Sequence, residues 1–262
     1  MDPVKGSLHD WSITTNPGDS NYKMKFELAD NEVFINSCKI PEDKRPPFLT
    51  IPNLVDDKHV VGIDEYTFCN YEYEGEDKVA YDNTSIHHVS ISEGIRYIGT
   101  HAFSNCVLLN EIELPSTLEL TGYWCFEVCK KLKKIKLPDK LKVIEMGTFE
   151  GCSNLEMVGF PSHLETISYG AFSRCGLKTL VINEGVEEIK HGAFCGCEAL
   201  MAVVLPRSLN KIGENVFDLI KKQTYSATEY SFNHNITLYC YPGSYALIYA
   251  RENGFKVASA QI

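Results

Sequence analysis

The chain has 262 residues, of which 44% are hydrophobic, so it can bury a substantial core and is long enough for a repeat architecture or two domains. Its formal net charge of -10 repels phosphate backbones and anionic lipid head groups, which makes nucleic acids and membrane surfaces poor candidate partners. No stretch approaches the ~20 apolar residues that a membrane-spanning helix needs, so membrane insertion is not expected.

The first 50 residues show no repeat. Apolar residues alternate with polar ones on both sides of Ala29-Asp30-Asn31, namely Met24, Phe26 and Leu28 before it and Val33 and Ile35 after it. This alternation predicts a hairpin, and residues 1–50 are expected to form an N-terminal β cap in which Trp11 covers apolar surface. No signal peptide is visible, so the protein is expected either to stay inside the cell or to be exported by a signal that this sequence lacks.

A phenylalanine followed three residues later by a cysteine recurs along the chain. The pairs are Phe103/Cys106, Phe126/Cys129, Phe149/Cys152, Phe172/Cys175 and Phe194/Cys197. Successive Phe residues are 23, 23, 23 and 22 residues apart, Phe217 continues the series, and Phe68 is an earlier, degenerate member. A fixed period of this length is typical of a solenoid, in which each turn buries its apolar face against its neighbours.

Other apolar positions keep phase with the Phe, and one unit reads L-x-x-I-x-L-P-x-x-L-x-x-I-x-x-x-A-F-x-x-C-x-x, with Thr121 as the exception at the second Ile. Within I-x-L, alternation places Ile135 and Leu137 on one face of a short strand and Lys134 and Lys136 on the other. One such strand per turn is expected to stack in parallel at roughly 4.8 Å, with the Phe row and the second Leu/Ile pair filling the interior.

The repeats predict one solenoid at residues 51–217, of about seven turns. Residues 218–262 are expected to form a C-terminal cap of a loop, a strand and a short helix. Two polar insertions interrupt this plan: CNYEYEGEDKVAYDNTS, which begins just after Phe68, and DLIKKQTYSATEYSFNHN, which begins just after Phe217. Both are expected to be surface loops that carry individual specificity.

Three strings resemble the BspA-type leucine-rich-repeat family: GIRYIGTHAFSNCVLLNEIELP, LPSTLELTGYWCFEVCKKLKKIKLP and GVEEIKHGAFCGCEALMAVVLP. The C-terminal YCYPGSYALIYARENGFKV resembles the usual end of such proteins, so the resemblance covers about residues 51 to 257. It implies an α/β repeat solenoid, mainly β and right-handed, with a parallel sheet and non-repeating caps. Family members are mostly bacterial surface or secreted proteins, so the resemblance implies adhesion or binding to a protein, such as a host protein, or to a glycan, without enzymatic activity. A cytoplasmic scaffold or regulatory module is the alternative, favoured by the missing signal and the cysteines.

The ten cysteines are expected to be free thiols. Those of the five Phe/Cys pairs, here called the cysteine ladder, are expected to be small buried side chains with weak hydrogen bonds to the backbone. Adjacent ladder positions have parallel Cβ vectors, which suit a disulfide poorly, and Cys125/Cys129 and Cys195/Cys197 lack the C-x-x-C spacing of a zinc site. A thiol enzyme is a remote alternative. Its base would come from His87, His88, His101 and His191, but nothing marks one Cys as activated. We expect no catalytic, metal or cofactor site.

Two smaller motifs are weaker indications of function. The acidic run Glu72, Glu74, Glu76 and Asp77 lacks the EF-hand spacing and is expected to be a solvated loop, with calcium binding as the alternative. Asn83-Thr84-Ser85 and Asn235-Ile236-Thr237 match N-glycosylation acceptors, which matter only in a eukaryotic secretory setting.

The outward residues of the strands define a candidate partner-binding face. It consists of His88, Glu111, Glu113, Lys134, Lys136, Met157, Thr179, Val181, Met201 and Val204. We expect Glu111 and Glu113 to lie beside Lys134 and Lys136, and the face to become apolar beyond the lysines. A contiguous exposed apolar area often marks an interaction site. The alternative is that short apolar residues simply line a tightly curved sheet.

Overall fold

The computed structural model describes residues 23–29, 32–39, 48–55, 57–74, 77–81, 83–223 and 228–260. The predicted contact of Trp11 lies outside these residues, as does Glu76 of the acidic run. Within the described residues the chain is mainly β, with many short strands and one α-helix.

The strands and the helix follow the repeat. The N-terminal part contains β1 (Lys23–Ala29), β2 (Glu32–Lys39), β3 (Leu49–Ile51), β4 (Leu54–Val55), β5 (Lys58–Ile63), β6 (Asn70–Glu74) and β7 (Asp77–Tyr81). The repeats contain β8 (His88–Ile91), β9 (Tyr97–Ile98), β10 (Glu111–Glu113), β11 (Leu120–Thr121), β12 (Lys134–Lys136), β13 (Val143–Ile144), β14 (Met157–Gly159), β15 (Thr166–Ile167), β16 (Thr179–Val181), β17 (Glu188–Ile189), β18 (Ala202–Val204) and β19 (Lys211–Ile212). The C-terminal part contains β20 (Leu219–Gln223), β21 (Thr228–Ser231), β22 (Thr237–Cys240), α1 (Tyr245–Glu252) and β23 (Lys256–Ser259).

The strands that carry the first Ile of each repeat form a first strand row, made of β3, β8, β10, β12, β14, β16, β18, β22 and β23. Paired neighbours run parallel in the register of the repeat, with Ile135 opposite Val158 and Leu180 opposite Val203. This confirms one strand per turn, stacked in parallel. The row is hydrogen-bonded in three segments, however, with interruptions between β10 and β12 and between β14 and β16. The second interruption falls at the turn that lacks one residue after Cys175.

A second strand row, which the repeat pattern did not predict, is made of β1, β2, β5, β9, β11, β13, β15, β17 and β19. Its repeat strands have two residues each, the second of which is buried, and Ile144, Ile167 and Ile189 lie opposite one another across neighbouring strands. Two residues are too few to show alternation in the sequence. Thr121 occupies the Ile position without disturbing this row: it is 7% exposed and pairs in register with Ile98.

The interior between the two rows contains a column of stacked phenylalanine rings. Phe68, Phe103, Phe126, Phe149, Phe172, Phe194 and Phe217 follow one another with ring centroids 4.7, 5.4, 5.5, 5.2, 5.4 and 5.8 Å apart. The backbone follows the same line, since the amide of Phe126 donates to the carbonyl of Thr148 at 2.9 Å and that of Phe149 to Ala171 at 2.8 Å. The predicted Phe row therefore exists and has its own hydrogen-bond ladder.

Both ends of the chain extend the strand rows. At the N-terminal end β1 and β2 form an antiparallel hairpin with Ala29 opposite Glu32, and β2 continues the second row by pairing with β5. At the other end, β22 and β23 add two parallel strands to the first row. The short helix α1 lies between these two strands in the chain, and the Ser244 hydroxyl caps it by accepting from the Leu247 amide at 3.3 Å.

The two insertions are not plain loops, which corrects the expectation. Each contains an antiparallel hairpin, β6 with β7 in the first and β20 with β21 in the second. Both segments are rich in Tyr and in alternating residues, which favour a strand over a loop. Glu72 and Glu74 lie in β6 and Asp77 begins β7.

Candidate functional site

The candidate partner-binding face lies on the outer surface of the first strand row. In the three-residue strands from β10 to β18 the middle residue points inward, so Ile135 is 4% exposed while Lys134 and Lys136 are exposed on either side of it. The same pattern holds in β16, where Leu180 is buried between Thr179 and Val181. Alternation alone thus decides which side chains a partner can touch.

Charged side chains occupy the N-terminal end of this face. The Glu111 carboxylate lies 3.5 Å from Nδ1 of His88 and 3.6 Å from Nζ of Lys134. Glu113 does not pair with Lys136 as expected, because it accepts a hydrogen bond from the Ser90 hydroxyl at 2.9 Å on the opposite side. All these groups are partly solvated, so the contacts orient side chains more than they stabilise the fold.

The C-terminal end of the face is apolar. Met157, Val181 and Met201 are 61%, 62% and 56% exposed. Ala202 and Val204 are half-buried and not fully exposed, because β22 continues the row beside them with Tyr239 opposite Val204. Met201 precedes β18 and is therefore at the rim of the row, although the sequence suggested a place on the face itself.

Sequence reasoning missed an aromatic residue at the other end of the face. Phe48 immediately precedes β3, is 67% exposed, and lies with its ring centroid 5.0 Å from that of His88. The segment before β3 does not repeat, so no phase relation could have placed Phe48 on the row.

The cysteine ladder has the predicted structural role. The thiol of each ladder cysteine contacts the Phe carbonyl oxygen of the preceding turn, at 3.6 Å for Cys106, 3.3 Å for Cys129 and 3.1 Å for Cys152, Cys175 and Cys197. All ten cysteines are free. The ladder fills a narrow corner of the interior and supplies a weak donor to a backbone acceptor.

The electrostatic environment of the thiols opposes nucleophilic chemistry. Burial raises the pKa of Cys197 to about 12 and that of Cys195 to about 11, and it raises the pKa of Cys129 and Cys175 well above the ordinary value of 9.0. A catalytic cysteine needs a lowered pKa so that the thiolate is present at neutral pH. His101, one of the candidate bases, contacts Glu127 at 3.4 Å and stacks between Tyr66 and Trp124.

The candidate metal ligands are not clustered. Among the described residues no group of three or more His, Cys, Asp or Glu side chains could hold a metal ion. The two asparagines of the N-glycosylation motifs differ in exposure. The Asn83 amide is buried and donates to the Phe68 carbonyl at 2.7 Å, whereas Asn235 is exposed.

No helix within the described ranges is long and apolar enough to cross a membrane.

A shallow depression of about 570 Å³ lies apart from the candidate face, between the loops that join the two strand rows. Its charges are already paired, since Lys140 contacts Glu119 and Lys142 contacts Glu165, each at 2.8 Å. Asp139 accepts from the backbone amide and hydroxyl of Ser162, and these bonds hold the pKa of its carboxyl below the usual range. The residues that line the depression therefore form contacts between neighbouring turns.

A family model describing the BspA-type leucine-rich repeat region matches this chain in six copies, over residues 77–200 and 166–249. Among solved structures, the T. pallidum leucine-rich-repeat protein is 20% identical, with 95% of this chain and 100% of that chain covered and a TM-score of 0.49. A leucine-rich cell surface protein from Faecalibacterium prausnitzii is 20% identical, with 80% and 74% covered and a TM-score of 0.44. The pneumococcal vaccine antigen PcpA is 15% identical, with 98% and 100% covered and a TM-score of 0.40. No curated protein matches the chain.

Proposed function

The chain belongs to the BspA-type leucine-rich-repeat family. We propose that it is a binding module without enzymatic activity, and that it presents its first strand row to a protein partner. Stacked repeats create an extended surface from positions that are far apart in the chain, and solenoid proteins use such surfaces for binding.

The observation that carries this proposal is the exposed apolar end of the face. Three large apolar side chains, Met157, Val181 and Met201, are each more than half exposed on neighbouring turns. Apolar groups that remain in water next to a polar strip mark an interaction site, because burying them against a partner is favourable. The charged end, with His88, Glu111 and Lys134, supplies orientation.

A protein fits this face better than a glycan does. Methionine side chains are flexible and polarizable and adapt to apolar protein surfaces, and protein interfaces are enriched in them. A glycan site needs a dense array of polar groups aimed at hydroxyls, whereas Thr179 stands among exposed apolar side chains at this end of the face. Glycan binding is the alternative within the same proposal.

The test compares two variants on arrays of matrix proteins, plasma proteins and glycans. Val181→Asp combined with Met201→Asp places two charges in the apolar end without touching the interior, and we expect it to weaken binding by more than about tenfold. Ile248→Asp is the matched control, because Ile248 is 52% exposed on α1, away from the face, and should leave binding unchanged. Binding to glycans alone would favour the alternative, and an unaffected double variant would remove the face from the proposal.

We place this module at the cell surface or among secreted proteins, in keeping with its family. A cytoplasmic scaffold is the second candidate, favoured by ten free thiols, since disulfides persist mainly in oxidising compartments. Protease treatment of intact cells that express the full gene separates the two. Rapid loss of the protein supports surface display, whereas protection until the cells are lysed supports the scaffold.

A further inference from the structure

The second strand row presents an apolar surface of its own, on a different side of the solenoid from the candidate face. Its outward positions run in register through Phe34, Gly62, Tyr97 and Leu120 on β2, β5, β9 and β11. Gly62 has no side chain, and the Phe34 ring occupies the space above it, where a Cβ would come within 2.6 Å of two ring carbons. The result is a continuous row that ends in Leu120, which is 62% exposed.

Two aromatic residues extend this row. Tyr123 is 47% exposed and meets Trp124 edge to face, with ring centroids 6.1 Å apart. Trp124 is itself fixed, because its indole stacks on His101 at 5.3 Å and covers Gly147, where a Cβ would come within 2.2 Å of the ring. The surface is therefore preorganised, so little side-chain freedom would be lost when a partner binds.

Two carboxylates without an ion-pair partner lie beside this surface. Asp64 and Glu65 directly follow β5, and their charges add to burial in raising the pKa of Tyr97. Within the described ranges neither has a cationic partner, and the Asp64 side chain accepts only from the Glu65 amide, at 2.8 Å. Arg96, which directly precedes Tyr97, is already paired with Glu32.

We propose that this second surface, made of Phe34, Tyr97, Leu120 and Tyr123 with Asp64 and Glu65 at its edge, docks a peptide segment of a partner protein in which Lys or Arg stands next to apolar side chains. The apolar row receives the apolar side chains, and the two carboxylates receive the cation. The molecule contains a similar contact already, since Nζ of Lys190 lies 5.3 Å from the ring centroid of Tyr169 on the same side. The net charge of -10 adds long-range attraction for such a segment.

The probe is a fluorescein-labelled synthetic peptide in which lysine alternates with leucine, measured by fluorescence polarisation with the full chain. Two further peptides replace lysine by glutamate or leucine by serine. We expect binding of the lysine–leucine peptide only, with an affinity that falls as salt is added because exposed charges are screened. Equal binding of the glutamate–leucine peptide would overturn the charge recognition, and equal binding of the lysine–serine peptide would overturn the role of the apolar row.

A pair of matched variants locates the site. Leu120→Lys should weaken binding by about tenfold or more, since it removes an apolar contact and adds repulsion. Ile248→Lys is the control, because Ile248 is 52% exposed on α1 and lies on neither strand-row surface. Asp64→Asn combined with Glu65→Gln should weaken binding of the lysine–leucine peptide severalfold, while the melting temperature of the protein stays unchanged.

Other outcomes contradict this surface. Equal losses in the Leu120 and Ile248 variants would mean that the peptide binds nonspecifically. A dimer in light scattering that Leu120→Lys dissociates would assign the surface to a second copy of the chain. Neither result bears on the first strand row, whose test uses different variants and different partners.

Discussion

Among single residues, the ladder cysteines show why one residue type recurs at a fixed place. In four turns, from Phe103 to Phe172, the Phe carbonyl oxygen accepts both the amide of its own turn's cysteine and the thiol of the next. For Phe126 these bonds are 3.4 Å from the Cys129 amide and 3.1 Å from the Cys152 thiol. Alanine would leave a void and remove the donor, and leucine would not fit. A small, weakly polar side chain is the one that satisfies both demands.

The buried thiols make stability depend on alkaline pH. In the unfolded chain they ionise near 9.0, whereas burial raises the pKa of Cys197 to about 12 and that of Cys240 to about 11. The stability is therefore fully present below the unfolded pKa and is lost as pH rises towards the folded pKa, at on the order of 1 kcal/mol per pH unit for each such thiol. Urea unfolding with reductant, repeated across this range, measures the loss.

Cys197→Ala controls for other groups that titrate at alkaline pH. The variant should be less stable at neutral pH but should have a shallower decline above pH 9.0, because one raised pKa is gone. Parallel declines of the variant and the parent chain would show that the thiols are not responsible.

At the scale of single elements, the second strand row shows how closely neighbouring turns approach. β11 is followed by Gly122, and a Cβ on this residue would lie 2.2 Å from the backbone nitrogen of Thr100 in the preceding turn. The short strand can therefore stay in register with β9 only if this position lacks a side chain. Thr121 tolerates its place in the same strand because it is small enough to be buried opposite Ile98.

Gly122→Ala should destabilise the fold by about 1–3 kcal/mol, because the added methyl group must push the two turns apart. Gly159→Ala is the matched control. Gly159 lies on the outer surface of β14, where an added Cβ would meet its nearest neighbour, the Lys136 side chain, at 3.4 Å. Chemical denaturation should separate the two variants clearly, and equal midpoints would refute the close approach.

At the scale of the whole molecule, the boundary between the turns of Phe126 and Phe149 differs from the others. Both strand rows are interrupted there, between β10 and β12 in the first and between β11 and β13 in the second. The Phe column remains continuous, with the two rings 5.5 Å apart, and the Glu111–Lys134 and Glu119–Lys140 pairs cross the boundary. Across this boundary the backbone bonds are those of the Phe ladder, such as that from Phe126 to Thr148, and side-chain contacts add to them where the two strand rows lack bonds.

Hydrogen exchange should find this boundary first. In a solenoid, stability is a sum of turns and the interfaces between them, so the interface with the fewest backbone bonds opens most easily. Amides of β12 and β13 should exchange severalfold faster than those of β15 and β17, which are paired on both sides. Uniform protection from β12 to β19 would show that the side-chain contacts compensate fully for the missing ladder bonds.

The repeat pattern was sufficient to predict the period, the inward and outward sides of the first strand row, the Phe column and the buried free cysteines. A repeat implies these features, because identical positions in successive turns become neighbours once the turns stack. Most of the candidate face followed in the same way from alternation, including Met157, Val181 and the Glu111–Lys134 pair.

Other features depend on contacts that the repeat does not predict. The second strand row is built from strands of two residues, too short to leave a pattern. Glu113 contacts Ser90 and not Lys136 because β10 pairs in register with β8, whereas the row is interrupted between β10 and β12. The row from Phe34 through Tyr97 to Leu120 joins a hairpin outside the repeat to the repeat itself, and only the pairing of β2 with β5 brings them together.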